Sequence, residues 1–163
     1  MEWLKGPKMA VVWAALRIWL GYQWFVAGVE KLGGFDATGF LKGAIAKATG
    51  EHPAVQGWYA AFLENFALPN VELFNFIIPI GEVLVGIGLI LGLFTTPALI
   101  AGAFMNLNFM LAGTTSTNPI MYTEAIILMA VGAAAYYWGA DRFILPYLRD
   151  KFTNKKFNQQ ANV

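Results

Sequence analysis

The chain has 163 residues, 58% of them hydrophobic and 13% charged, with a formal net charge of +1. Soluble domains run at roughly 45–50% apolar and about 25% charged, so the composition excludes an ordinary soluble domain and the length leaves room for one domain in a bilayer. The absence of cysteine and the single histidine exclude thiol–disulfide chemistry, thiolate-held iron–sulfur or zinc sites, and a bis-histidine haem within one copy.

The first apolar stretch runs from Met9 to Val29 and contains one charge, Arg17. A span needs about 20 mostly apolar residues, and the spacing predicts a helix over about Pro7 to Val29. Nothing after Arg17 resembles a small-residue cleavage site, so the segment is expected to be retained. Arg17, Gly21, Trp24, Gly28 and Lys31 fall on one face of this helix. Gln23 lies about 100° away from it.

An outer loop is expected over residues 30–70. Phe40, Leu41, Ala44 and Ile45 follow one another at helical spacing within Asp36 to Lys47. Val55, Trp58, Tyr59, Phe62, Leu63 and Phe66 do the same within Pro53 to Phe66. The period predicts two amphipathic helices that cap the bundle or lie in the interface. His52 reads as an exposed residue at the start of the second of them.

From Glu72 to Asp141 the 68 intervening residues carry two charges, Glu82 and Glu124. That is too long for one span and about right for three. Asn70, Thr96-Pro97 and Asn118-Pro119 supply the start signals. The expected spans are about Val71 to Leu93, Pro97 to Ala112 and Pro119 to Ala140. Asn75, Glu82 and Leu89 share the second-span stripe, with Gly86 alongside. Pro79 should break the ladder one turn before Glu82. In the third span Asn106 and Asn108 point roughly 200° apart, so only one can serve a given site.

Lys5 and Lys8 precede the first span; Arg142, Arg149, Lys151, Lys155 and Lys156 follow the last. The outer loop is less basic, and the two short turns have no base. The Lys/Arg asymmetry therefore predicts a multi-pass protein of the plasma membrane with both termini cytoplasmic and a basic tail over residues 141–163. Depth counted from the span ends places Arg17 level with Glu82, and Lys31 near Glu124 on the outer side. Two ion pairs are expected on that count. They are either structural bridges or groups kept for a ligand, since a charge at bilayer depth costs roughly 2.5–3.5 kcal/mol on insertion scales.

The pattern Arg17-x3-Gly21 and Gly28-x2-Lys31, then Gly81-Glu82, Gly86-x-Gly88-Leu89 and Leu91-Gly92-Leu93 with Thr95-Thr96, resembles the DoxX/DoxD family of small membrane proteins. Gly139-Ala140-Asp141 after the Glu124 helix fits the same pattern. The resemblance covers about residues 12 to 142 and implies an all-α, four-span bundle. Its DoxD-type members imply the membrane subunit of a thiosulfate:quinone oxidoreductase, with Arg17, Lys31, Glu82 and Glu124 as the polar residues that matter. The DoxA-like partner domain is absent from this chain, so any electron donor is expected to be a partner subunit or the substrate.

On that reading Glu82 and Glu124 move protons as the catalytic carboxylates, and Arg17 or Lys31 steadies an oxyanion. Trp24, Phe25 and Tyr22 wall a quinone ring, and Asn75 and Asn106 add ligand contacts. No haem, flavin or metal motif is present. A quinone is thus the one cofactor-like molecule expected, bound as substrate in an apolar cavity inside the bundle. Expected partners are the lipid bilayer, a redox subunit and further copies of the chain, with no nucleic acid. The competing reading is a non-catalytic scaffold or lipid- and small-molecule-binding protein.

Overall fold

In the computed structural model, which describes residues 2–160, helix follows helix without a strand among the described residues. The side chains of Lys5, Lys155 and Lys156, counted among the bases above, lie outside the described residues. Pro7 opens α1 (Pro7–Lys31), where its missing N–H costs nothing. Before it, a short 3₁₀ turn at Glu2–Lys5 receives the Trp13 indole N–H on the Leu4 carbonyl at 2.7 Å. The loop holds α2 (Thr38–Ala46) and α3 (Gly57–Phe62), the latter running into a π-helical turn at Leu63–Ala67. Then come α4 (Val71–Leu91), α5 (Thr95–Leu111) and α6 (Asn118–Val131), a 3₁₀ turn at Gly132–Ala135, and α7 (Asp141–Gln160).

Among the described residues three stretches are long and apolar enough to cross a membrane: Pro7–Lys31, Val71–Leu91 and Asn118–Ala135. Their outward faces are apolar, with Trp19, Phe76, Leu84 and Ile120 all more than half exposed, as lipid-facing residues should be.

Helix α1 packs chiefly on α4, and glycine sets the distance. A Cβ on Gly21 would come 3.0 Å from the Gly86 carbonyl oxygen, and one on Gly28 would come 2.9 Å from the Pro79 carbonyl oxygen. Such approaches hold membrane helices together through close backbone packing. These contacts also fix the register. Gly28 lies opposite Pro79 and Val83, Gly21 opposite Gly86 and Leu89, and Arg17 beside Gly92. Helix α1 therefore overhangs the C-terminal end of α4 by about ten residues, roughly 15 Å. The Gly132–Ala135 turn and the Glu2–Lys5 turn pack together there and fill the step.

Two cores result. One lies in the bundle around Leu20, Trp24, Leu89, Leu99 and Leu128. The other joins the loop helices to the outer ends of α4 and α5 through Leu41, Val55, Tyr59, Leu63 and Ala112. The Lys47 ammonium ties this loop to the α5–α6 turn by donating to the Gly113 carbonyl at 3.0 Å.

Several expected boundaries move. Asn70 makes no side-chain cap; its amide donates to the Phe66 carbonyl instead. Asn118 lies inside α6, with Thr117 at the N-cap. His52 precedes α3 by five residues rather than starting it. In α3 and the turn after it the buried face carries Tyr59, Ala60 and Leu63, while Trp58 and Phe66 are exposed. The tail forms α7, which the stripe Phe143, Ile144, Tyr147 and Leu148 could have announced.

Candidate functional site

The expected Arg17–Glu82 and Lys31–Glu124 pairs do not form. The described ion pair is Lys31–Glu82, with Lys31 Nζ 2.7 Å from Glu82 Oε2. The overhang of α1 is the reason: residue 28, not residue 17, lies at the depth of Glu82. Lys31 sits one turn further out and folds back, donating also to the Ala27 carbonyl at 3.1 Å. Long cationic stems reach along a helix in this way. The Glu82 side chain is 2% exposed and that of Lys31 28%, so the carboxylate is buried and the amine guards its outer side. Lys31, Asn75 and Pro79 line a small recess there of about 290 Å³.

Arg17 is buried at the end of the bundle remote from the long loop, fitted against Gly92 and Gly139. Its Nη2 donates to the Trp138 carbonyl at 2.9 Å, and its electrostatic partner is Asp141. Asp141 in turn accepts the backbone N–H groups of Phe94 and Thr95, each at 2.7 Å. It thus caps α5 from a distant part of the chain, where Thr96 was the expected cap. Ala140 and Asp141 donate their own N–H groups to the last carbonyls of α4, on Leu91 and Gly92. Gly92 takes the left-handed conformation that ends the helix (φ +63°). Arg17 and Asp141 therefore join α1, α4, α5 and α7.

Asn75 is also engaged. Its Oδ1 accepts the Ala37 N–H at 2.8 Å and so fixes the start of α2. Nearby, Asp36 accepts from Thr38, which holds its carboxyl below the usual range. Trp24 is buried over Gly102, with its indole N–H unpaired among the described residues. Asn106 is fully buried, and both polar atoms of its side chain lack a partner among the described residues. Gly81 lies against Met105, so Asn106 and Glu82 are close to one depth. Glu124 is half-buried on α6. Tyr22 is exposed and stacks on Trp19 instead of walling a ring with Trp24.

An aromatic cavity is present nearer the loop. It occupies about 340 Å³ between the loop helices and α4–α5, lined by Phe40, Phe62, Phe74, Ile78, Phe104 and Phe109 among others. Its one polar end is Tyr59 with Asn108. The Tyr59 hydroxyl donates between the Asn108 carbonyl (3.1 Å) and Asn108 Oδ1 (3.0 Å). Burial pushes the Tyr59 phenol upward. The aromatic loop stripe pointed to this lid, and Asn108 was one of the two weighed asparagines; their meeting was not visible in the sequence.

The DoxX family profile matches residues 12–115. The chain belongs to the DoxX family. The match covers the Arg17 to Lys31 face, the lid, α4 and α5, so the Lys31–Glu82 pair and the aromatic cavity lie within the DoxX region, whereas Asp141 and α7 lie beyond it. No curated protein and no solved structure matches the chain significantly.

Proposed function

We propose that this DoxX-family protein is a membrane redox subunit that admits a quinone-like molecule from the lipid into the cavity under α2 and α3. The observation that carries the reading is the cavity: aromatic, with a single polar end, and bordered by Phe62, Phe66 and Phe104 on the lipid-facing surface. Its volume lies at the low end for ligand sites, suited to one ring whose tail stays in the bilayer. The Tyr59 hydroxyl can turn from Asn108 to a ring carbonyl. Ile78, in the wall, stands one turn from Glu82, which is the carboxylate assigned to proton delivery. Lys31 holds its ammonium against that carboxylate. Two electrons and two protons reduce the ring to the quinol; the electrons come from a partner subunit, with thiosulfate as the donor that the DoxD resemblance implies. On this proposal α5 is a fourth span, the protein lies in the plasma membrane, and both termini are cytoplasmic. Glu124 is not among the described residues that line the cavity, so its proton role does not enter the reading.

A second reading has its own support. Arg17, Asn75 and Asp141 hold neighbouring backbone, and a polar core used in this way suits a scaffold that supports a partner enzyme. Titration with a short-tailed quinone distinguishes the two. Trp58 packs edge-on against Tyr59 at 5.4 Å, so its fluorescence reports on the cavity. Saturable quenching that disappears in Trp58→Phe and weakens in Tyr59→Phe supports the redox reading. Quenching that rises linearly, as partition into detergent does, gives the scaffold reading first place.

A further inference from the structure

The polar end of the aromatic cavity has a definite hydrogen-bond sense. Asn108 Nδ2 donates to the Phe104 carbonyl at 2.8 Å, and a carbonyl can only accept. The amide therefore turns its oxygen, not its NH₂, toward Tyr59. Both Asn108 atoms beside the Tyr59 hydroxyl are then acceptors: the backbone carbonyl at 3.1 Å and Oδ1 at 3.0 Å. The single phenolic proton is committed to them. What Tyr59 offers the cavity is an oxygen lone pair. The residue is 5% exposed and packed in the lid core, so the oxygen is held in place.

A ligand carbonyl and a ligand hydroxyl meet this end on unequal terms. A carbonyl needs the Tyr59 proton. If the proton turns, the Asn108 carbonyl keeps the Ala112 N–H at 3.0 Å, but Oδ1 has no other partner among the described residues. The carbonyl therefore gains one bond and forfeits much of another. A hydroxyl donates to the Tyr59 oxygen and leaves the Tyr59–Asn108 bond in place. Tyr59 and Asn108 excepted, the described lining has no side-chain N–H or O–H that could even out the difference.

We propose that the cavity discriminates between the redox states of its ligand and holds the quinol more tightly than the quinone, one ring hydroxyl donating to the Tyr59 oxygen. The inference rests on the quinone reading of the same cavity. Both forms enter from lipid, which offers their ring oxygens no partner, so the difference is about one neutral hydrogen bond, or about 5-fold. The quinone takes up two electrons and two protons to become the quinol. A 5-fold preference for the product raises the potential of the bound couple by about 20 mV over that in lipid. The site thus favours reduction of the ring over its reoxidation.

The test is anaerobic equilibrium dialysis of the full chain in detergent against duroquinone and duroquinol, with protein-free detergent as the blank for partition. Wild type should hold duroquinol about 5-fold more tightly, relative to that blank. Duroquinol monomethyl ether keeps one hydroxyl and should match the quinol. The dimethyl ether has none and should bind no better than duroquinone. Tyr59→Phe should weaken both redox forms, duroquinol most, and bring the ratio to one or below. Asn108→Leu removes Oδ1, so the proton turns at less cost and the ratio should fall toward one through tighter binding of duroquinone. Equal binding of the two forms by wild type, a preference for duroquinone, a dimethyl ether that binds like the quinol, or a ratio unchanged in Tyr59→Phe would each overturn this inference and leave the quinone reading standing. Retention of neither form above the blank would overturn both.

Discussion

Lys31 and Glu82 meet across the α1–α4 contact at 2.7 Å, the ammonium coming from one turn further out than the carboxylate. Removing the amine strands a carboxylate that is 2% exposed. Breaking one side of a buried pair costs about 3–5 kcal/mol, and the partial exposure of Lys31 sets the expectation for Lys31→Met near about 3 kcal/mol. Adding Glu82→Leu should restore most of it. Arg17→Met combined with Glu82→Leu should be additive, because those two side chains do not touch. Denaturant unfolding in mild detergent measures all three; a coupling between Arg17 and Glu82 above about 0.5 kcal/mol would contradict the observed register.

Asp141 should matter as much as a core residue. Asp141→Ala removes two charge-assisted bonds to the first turn of α5 and the counter-charge of Arg17. The expected loss is about 2–3 kcal/mol. Gly92→Ala should be at least as severe, since its Cβ would overlap the Arg17 guanidinium and its φ is +63°. Gly81→Ala is the contrast: its Cβ meets only Met105 Sδ, at 3.5 Å, and stability should hold within about 0.5 kcal/mol.

The two asparagines of α5 should respond in opposite ways. Asn106 buries an amide with no partner among the described residues, so Asn106→Leu should be neutral or stabilising by about 1 kcal/mol. Asn108→Leu breaks the Tyr59 contact and should cost about 1 kcal/mol. A clear loss of stability in Asn106→Leu would show instead that Asn106 holds a water or a ligand.

Tyr59 predicts an alkaline dependence. Its folded phenol titrates above the unfolded value of about 10. The stability it supplies is therefore fully present below that value and is lost as pH rises through the folded one. Thermal unfolding between pH 9 and 11 should fall more steeply for wild type than for Tyr59→Phe. Identical slopes would mean that the lid does not bury the hydroxyl.

The proposed orientation is open to labelling, since the native chain has no cysteine. Glu51→Cys in the lid loop should react with an impermeant thiol reagent added to intact cells, and Lys151→Cys in α7 should react only after lysis. The reverse pattern would place the termini outside.

Helices were legible where apolar runs met start signals. The face carrying Arg17, Gly21, Trp24, Gly28 and Lys31 follows from the 3.6-residue period alone. Partners were harder, because counting depth from span ends assumes that helices end at one level. Helix α1 does not end level with α4, and the ten-residue overhang shifted Lys31 onto Glu82 and Arg17 onto the Gly92 corner. Only the glycine contacts reveal that offset, and they depend on three-dimensional packing. The capping of α5 by Asp141 was hidden for a related reason. A cap is ordinarily sought next door in the chain, and this one arrives from 46 residues downstream of Thr95. The aromatic cavity lies nearer the loop because the polar stripe of α1 is filled by α4 itself, which leaves the open space to the lid.

The unequal helices have a consequence for the surrounding lipid. At 1.5 Å per residue the 25 residues of α1 span about 37 Å and the 17 of α5 about 25 Å. If α5 is the fourth span of the proposal, a hydrocarbon layer of about 30 Å does not match both lengths at once. The protein must lean, or the leaflets must pinch where α5 stands and swell beside α1. On that proposal Phe104 and the mouth of the aromatic cavity lie on the short side, and headgroups and water would approach that mouth more closely than in an undisturbed bilayer.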